Sequence, residues 1–142
     1  MFASAPRLVR ARVLFVALAL LLAVLETRAG LNLAGEDVFV NVAGGFTVEE
    51  RAADLGIVAA VVSSLRNRPV RAGTAIFGEV GLAGEVRATG QSMLRVREAA
   101  QMGFERCVVP SGNVSPEEGG AGCAVVGVRT VAEALDEVIG WD

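Results

Sequence analysis

The chain has 142 residues, of which 53% are hydrophobic, and its 13 basic and 16 acidic side chains give a formal net charge of −3. This length and composition exclude a disordered or collagen-like chain and predict one compact domain with a large core. All 13 basic residues are arginine, and the sequence contains no lysine, histidine or tyrosine. A Ser-His-Asp triad, a Ser-Lys dyad, Schiff-base chemistry and a Walker-type lysine are therefore excluded within these residues.

The N-terminal region allows two interpretations. Three arginines precede an unbroken apolar run, residues 13–25, and Thr27 and Ala29 follow, as in a signal peptide with a small-residue cleavage site. As a helix, the run would reach only about 20 Å of the roughly 30 Å that a membrane span needs. The alternative is a buried helix of a soluble domain that ends at Gly30 as its C-cap.

The next elements in chain order are a strand and a helix. Residues 37–42 alternate between apolar and polar side chains and predict a strand. Residues 52–65 are apolar nearly all round, which is typical of a helix in the middle of a core, and Thr47 and Glu50 form a candidate capping box for it. A basic loop, residues 66–71, follows.

A hairpin and an amphipathic helix come next. Two short strands, residues 74–80 and 84–87, flank a glycine-rich turn and predict the hairpin. The helix is predicted over residues 91–102. Its candidate inward positions are Leu94, Val96, Ala99 and Met102.

The C-terminal part is predicted to contain two strands and a helix. The strands cover residues 106–109 and 124–128, with a glycine-rich surface loop between them. Thr130 and Glu133 form a capping box that begins a helix extending to about residue 140. Its predicted apolar face consists of Val131, Leu135, Val138 and Ile139.

The two cysteines, Cys107 and Cys123, are too few for a structural zinc site, so no metal site is predicted. They could form a disulfide bond. Two buried free thiols are the favoured interpretation, because Cys107 lies in an apolar run and free cysteine behaves as a small apolar residue.

Three glycines, Gly78, Gly81 and Gly84, follow a spacing that is common in phosphate-binding loops. The dinucleotide fingerprint, however, requires a turn from a strand into a helix. These glycines lie between two predicted strands, so no nucleotide or other cofactor site is predicted here.

The run from Arg68 to Arg87, with Gly-Glu-Val-Gly-Leu-Ala-Gly-Glu-Val at its centre, resembles the proteolytic domain of Lon proteases. It is still more similar to the Lon-like C-terminal domain of the RadA (Sms) family of bacterial DNA repair proteins. Further segments match this family in the same order along the chain, namely residues 37–45, 52–55, 97–100, 103–104 and 128–135.

The resemblance implies an α+β fold of the Lon proteolytic-domain type (ribosomal-protein domain-2-like), in which mixed small sheets pack with about four helices. The Lon-like domain would cover residues 19–142, after a divergent N-terminal segment, residues 1–18, outside its core. In this family a helix similar to residues 20–26 opens the domain. The resemblance therefore favours the buried helix over the signal peptide.

The resemblance also indicates which catalytic residues are missing. Lon peptidases use a serine at the head of the buried helix and a lysine after the hairpin; the matching positions hold Ala52 and Met93. No catalytic residue is therefore predicted, and peptidase activity is expected to be absent.

A Lon-type ATP-dependent serine peptidase is the alternative. Asp54, a possible base for it, is instead expected to form an ion pair with an arginine or to cap a helix. The serines available to such an enzyme have no base at a recognisable spacing: Ser63, Ser64, Ser92, Ser111 and Ser115.

The resemblance implies a non-catalytic scaffold domain in the cytoplasm that supports a hexameric homo-oligomer, engages double- or single-stranded DNA and acts with RecA-type recombination machinery, without a membrane role. The ATPase domain of the family would be missing from these residues. A secreted binding domain is the alternative if the N-terminus is a signal peptide. Arginines at subunit interfaces or in solvent are the alternative to DNA contacts, because the chain is acidic. The candidate DNA-binding residues are Arg66, Arg68, Arg71, Arg87, Arg95 and Arg97.

Overall fold

The computed structural model describes residues 20–32, 51–114 and 122–139. The helices in these ranges are α1 (residues 20–28), α2 (Asp54–Arg66), α3 (Ser92–Gln101) and α4 (Val131–Val138). The strands are β1 (Thr74–Ile76), β2 (Glu79–Val80), β3 (Val86–Arg87), β4 (Arg106–Pro110) and β5 (Ala124–Val128). Short 3-10 turns at Arg51–Ala53 and Ser111–Asn113 precede α2 and follow β4. The divergent segment, the strand predicted at residues 37–42 and the capping box of Thr47 and Glu50 lie outside the described residues.

Three strands form a parallel sheet, and two form an antiparallel hairpin. The sheet has the order β1-β4-β5, so β4 is its central strand. Cys107 of β4 lies opposite Ala75 on one side and Val125 on the other. In the hairpin, β2 pairs with β3. The described residues thus form a mixed arrangement of four helices with small parallel and antiparallel sheets, in agreement with the coarse prediction.

Side chains alternate between the two faces of the central strand, and each face has its own core cluster. Val108 belongs to the larger cluster, which the apolar residues of α1, α2 and α4 complete. Cys107 and Val109 belong to the smaller cluster, together with Val96 and Ala99 of α3. The sheet therefore lies between α3 on one side and the other three helices on the other.

Helix α1 is part of the larger core cluster. Leu21, Val24 and Leu25 are all buried there. Gly30 adopts a positive φ of 68°, and the Leu31 N–H donates to the Leu25 carbonyl oxygen (3.2 Å) just after the helix ends. The prediction of a core helix is confirmed for residues 20–28. No helix within the described ranges is long and apolar enough to cross a membrane.

The predicted inward face of α3 was wrong at two positions. Val96 and Ala99 are buried as predicted, but Leu94 is 48% exposed and Met102 is 76% exposed. Since a helix turns through about 100° per residue, Leu94 and Val96 lie on nearly opposite faces and cannot both point into the core. Ser92 occupies the buried face instead.

The strand predicted over residues 74–80 is divided into β1 and β2, which belong to different sheets. The chain leaves the parallel sheet at Gly78. The Gly78 N–H donates to the Ala52 carbonyl oxygen (2.8 Å), and the Gly78 carbonyl oxygen accepts from the Leu55 N–H (3.0 Å). Both bonds join Gly78 to the start of α2. The backbone groups of Gly78 are therefore not available to continue the parallel sheet.

Helix α4 begins as its sequence predicted. The Thr130 hydroxyl oxygen accepts from the Glu133 N–H (3.2 Å). The Glu133 carboxylate accepts from the Arg129 N–H (2.9 Å), one residue before the cap. The predicted apolar face is buried throughout.

Candidate functional site

A buried carboxylate joins the start of α2 to the hairpin. Asp54 is only 4% exposed, and its Oδ2 accepts from Arg51 Nε (2.8 Å) and from the Val80 N–H (3.2 Å). Arg51 Nη2 also donates to the Val80 carbonyl oxygen (3.3 Å). The hydrogen bond to Asp54 raises the pKa of Arg51. The ion pair expected for Asp54 is therefore confirmed. Because the Asp54 carboxylate accepts from both Arg51 and the Val80 N–H, its role is structural.

The hairpin carries further charges beside this pair. Arg87 Nη2 lies 2.9 Å from Glu85 Oε1, and Arg87 Nη1 lies 4.0 Å from Glu79 Oε1. Hydrogen bonds from its own backbone N–H and from Arg87 lower the pKa of Glu85. A cavity of about 250 Å³ separates the hairpin from α1; Arg51, Glu79 and Arg87 line it together with apolar residues of α1.

Ala52 and Met93 are the two positions that the resemblance to Lon peptidases assigns to a catalytic dyad. Ala52 is buried in the 3-10 turn before α2. Met93 is 43% exposed in the first turn of α3. Among the serines, Ser63 donates to the Arg68 carbonyl oxygen and Ser92 is buried, while Ser115 lies outside the described residues.

Three candidate arginines lie at the end of α2 and in the loop that follows it. Arg66 is the last residue of α2, and Asn67 ends that helix in a left-handed conformation (φ 51°). The Arg71 N–H donates to the carbonyl oxygen of Val138 (2.9 Å), the last residue of α4. The loop therefore lies where the carboxyl ends of two helices meet. The partial negative charge of these ends stabilises cations, and Arg71 is exposed to solvent.

The other three candidates do not share one site. Arg87 lines the cavity at the hairpin. Arg95 donates from Nε to the Gly90 carbonyl oxygen (3.0 Å), and its guanidinium lies 5.8 Å from the centre of the Phe77 ring. It lines a different cavity, of about 230 Å³, between α3 and the sheet. Arg97 is exposed on α3.

The two cysteines meet in the smaller core cluster. Their sulfurs lie 3.3 Å apart, and both thiols are free and buried. Burial raises the pKa of Cys107 to about 12, so this thiol is protonated at neutral pH. The favoured interpretation of buried free thiols is confirmed. No group of three or more potential metal-ligating side chains occurs in the described ranges.

Arg51 is a residue that the sequence analysis missed. Arg51 forms the ion pair with Asp54 and also lines the cavity at the hairpin. It lies outside the basic loop, the hairpin and α3, where the candidate arginines lie. Its spacing of three residues from Asp54 was the available signal, because side chains at positions i and i+3 of a helical turn lie side by side.

Replacing Asp54 with alanine is expected to destabilise the protein by about 2 kcal/mol, because the Val80 N–H is left buried without an acceptor. Asp54→Asn keeps an acceptor and should cost less. Asp136→Ala, at an exposed position of α4, is the control and should change stability by less than about 0.5 kcal/mol. Urea unfolding followed by circular dichroism measures the three values. Equal effects at both aspartates would contradict the structural role of Asp54.

Comparisons with known proteins place the chain in a family. The family model described as subunit ChlI of Mg-chelatase matches residues 16–113. DNA repair protein RadA of Escherichia coli is 49% identical over 118 residues, which are 83% of this chain and 25% of that protein. RadA of Pseudomonas aeruginosa is 50% identical over 119 residues, 84% of this chain and 26% of the relative. RadA of Bacillus subtilis is 45% identical over 121 residues, 85% of this chain and 26% of the relative.

The chain spans about a quarter of the length of these curated relatives. The identity is spread over more than four-fifths of the chain. The chain and these relatives therefore share a whole region and not only a short motif. The chain therefore belongs to the family that the ChlI model describes and is homologous to DNA repair protein RadA over most of its own length.

Proposed function

We propose that this chain is a catalytically inactive, Lon-like scaffold domain of the RadA type, which supports a homo-oligomer and engages DNA during repair in the cytoplasm. The observation that carries this proposal is the identity of about half of the matched residues to RadA. RecA-type recombination proteins would be its partners in this role.

The residues present support a domain without peptidase activity. Ala52 and Met93 provide neither a nucleophile nor a base at the positions that match the dyad. The carboxylate of Asp54 accepts from Arg51 and from a backbone N–H, so it is not positioned to take a proton from a serine. No added metal or cofactor is proposed for these residues.

The basic loop is the best candidate for DNA contact. It carries Arg66, Arg68 and Arg71 within six residues, and residues 66–71 include no acidic side chain. Arginine can bind a phosphate through two parallel hydrogen bonds. Arg87 lies apart from this loop, at the hairpin, where Glu85 and Glu79 are beside its guanidinium.

Exposed apolar side chains support assembly with further copies. Leu94 on α3 is 48% exposed, Met102 just after that helix is 76% exposed, and Leu82 at the hairpin tip is 69% exposed. A ring needs two different complementary faces on each subunit, and α3 and the hairpin are separate surfaces that could supply them. Light scattering after size-exclusion chromatography tests this part: a particle of several chains supports it, and a monomer at all concentrations contradicts it.

The DNA part is tested with two double variants of equal net charge. Arg68→Ala with Arg71→Ala removes two arginines of the loop; Arg28→Ala with Arg129→Ala removes two exposed arginines elsewhere. Each lost phosphate contact is expected to reduce the slope of log affinity against log salt by about 0.9 in magnitude. The loop variant should therefore lose about 1.8 from the slope, whereas the control should keep it.

Fluorescence anisotropy with labelled duplex and single-stranded DNA, at several salt concentrations, gives both slopes. Equal losses in the two variants would mean that net charge alone governs binding, and would contradict a contact through this loop. Undetectable binding of the unchanged chain to either DNA would contradict DNA engagement by these residues altogether.

A further inference from the structure

A pair of thiols in the smaller core cluster has no part in the proposed function. Cys107 Sγ and Cys123 Sγ are 3.3 Å apart, while the two residues are 16 positions apart in the chain. Both side chains are almost completely buried, at 0% and 2% exposure. Phe77, Val96 and Val109 pack in the same cluster. Cys107 also lines the cavity between α3 and the sheet, together with Arg95 and Glu98.

We propose that Cys107 and Cys123 form a reversible intrachain disulfide bond when the protein meets a low-molecular-weight disulfide. A disulfide has a sulfur–sulfur distance of about 2.05 Å, so each sulfur needs to move by roughly 0.6 Å from its position in the reduced protein. A movement of this size can come from side-chain rotation, and the parallel sheet can keep its register.

Cys123 is the thiol that reacts first. Cys107 lies within the central strand, between two paired neighbours, whereas Cys123 lies one residue before β5 begins. The adjoining Gly122 is exposed, and a side chain added there would meet nothing within 4 Å. A local opening at this strand end therefore reaches Cys123 without separating the three strands.

The reaction has two balanced exchange steps. The Cys123 thiolate attacks one sulfur of the small disulfide, which forms a mixed disulfide and releases one small thiol. The Cys107 thiolate then attacks the Cys123 sulfur, which forms the intrachain bond and releases the second small thiol. The protons of the two protein thiols end on the two released thiols, so the protein is oxidised and the small disulfide is reduced.

Burial of Cys107 slows the second step of this exchange. The thiolate is the nucleophile, and the pKa of Cys107, raised to about 12, leaves little thiolate at neutral pH. Closure of the intrachain bond by Cys107 should therefore be slow in the folded protein and should accelerate as the pH rises from about 7 to 9, where the Cys107 thiolate fraction grows about tenfold for each pH unit below the pKa.

The experiment incubates the purified chain with glutathione disulfide and follows it by intact mass and peptide mapping. The expected product has lost two hydrogens and contains one peptide pair that links Cys107 to Cys123. Its midpoint of thermal unfolding should rise by roughly 5–10 °C, because the bond closes a loop of about 15 residues in the unfolded chain. Treatment with a dithiol reductant should reverse both changes.

Cys123→Ala is the control, since it removes one partner and leaves the central strand unchanged. It should form no intrachain bond. A glutathione adduct as the stable end product of the unchanged chain would overturn the proposal, because it would mean that the second sulfur cannot reach the first. Two thiols that stay free after oxidant treatment at about pH 9 would overturn it as well.

Discussion

Leu25→Ala is expected to lower the free energy of unfolding by about 3 kcal/mol, which is typical of a leucine removed from a well-packed core. Leu25 is 0% exposed and packs in the larger cluster with residues of α2 and α4. The substitution leaves a cavity among elements that are distant in sequence, so the neighbours can fill it only in part.

Leu20→Ala is the matched control, because Leu20 lies in the same helix and is 45% exposed. It should change the free energy of unfolding by less than about 1 kcal/mol. Urea unfolding of both variants, followed by circular dichroism, gives the comparison. Equal small effects would contradict the position of α1 in the core and would revive the interpretation of residues 13–25 as a cleaved segment.

Gly78→Val is expected to destabilise the protein by about 3 kcal/mol through overpacking. A Cβ atom at Gly78 would lie 2.9 Å from Val86 Cγ1, 3.2 Å from Leu55 Cδ2 and 3.3 Å from Pro110 Cγ. These atoms belong to the hairpin, to α2 and to the central strand. The chain can make room only by moving these three elements apart, and the two backbone bonds of Gly78 already fix its distance from the start of α2.

Gly90→Val is the control for the entropy and bulk of the new side chain. A Cβ atom at Gly90 would meet nothing within 4 Å, and Gly90 does not adopt a positive φ. Its thermal midpoint should stay within a few degrees of the unchanged protein. If Gly78→Val were equally mild, close packing would not explain the glycine at this position.

Local patterns predicted the elements whose determinants are close together in the sequence. The Thr130 cap and the apolar spacing of α4 are contained within ten residues, and both appear in the structure. Strands β4 and β5 were predicted for the same reason, because each is a short apolar run bounded by turn residues. The resemblance to RadA also came from the sequence, and the homology is confirmed.

The candidate site could be predicted only in part. The basic loop was visible because its three arginines are neighbours in sequence. The sequence did not show that Arg87 and Arg95 line two different cavities, because this depends on where the hairpin and α3 lie in the folded molecule. The Lon-like fold, the scaffold role and the DNA contacts stay predictions.

The amino-acid sequence by itself determined that no Ser-Lys dyad can form within these residues, since it holds neither lysine nor histidine. The sequence was also sufficient to predict helix α4 and the family to which the chain belongs. Tertiary structure decided which face of α3 is buried, where the strand at residues 74–80 divides and which sulfur lies beside Cys107. Each of these depends on contacts between residues that are far apart in the chain, and the periodicity of a single segment carries no information about its distant neighbours.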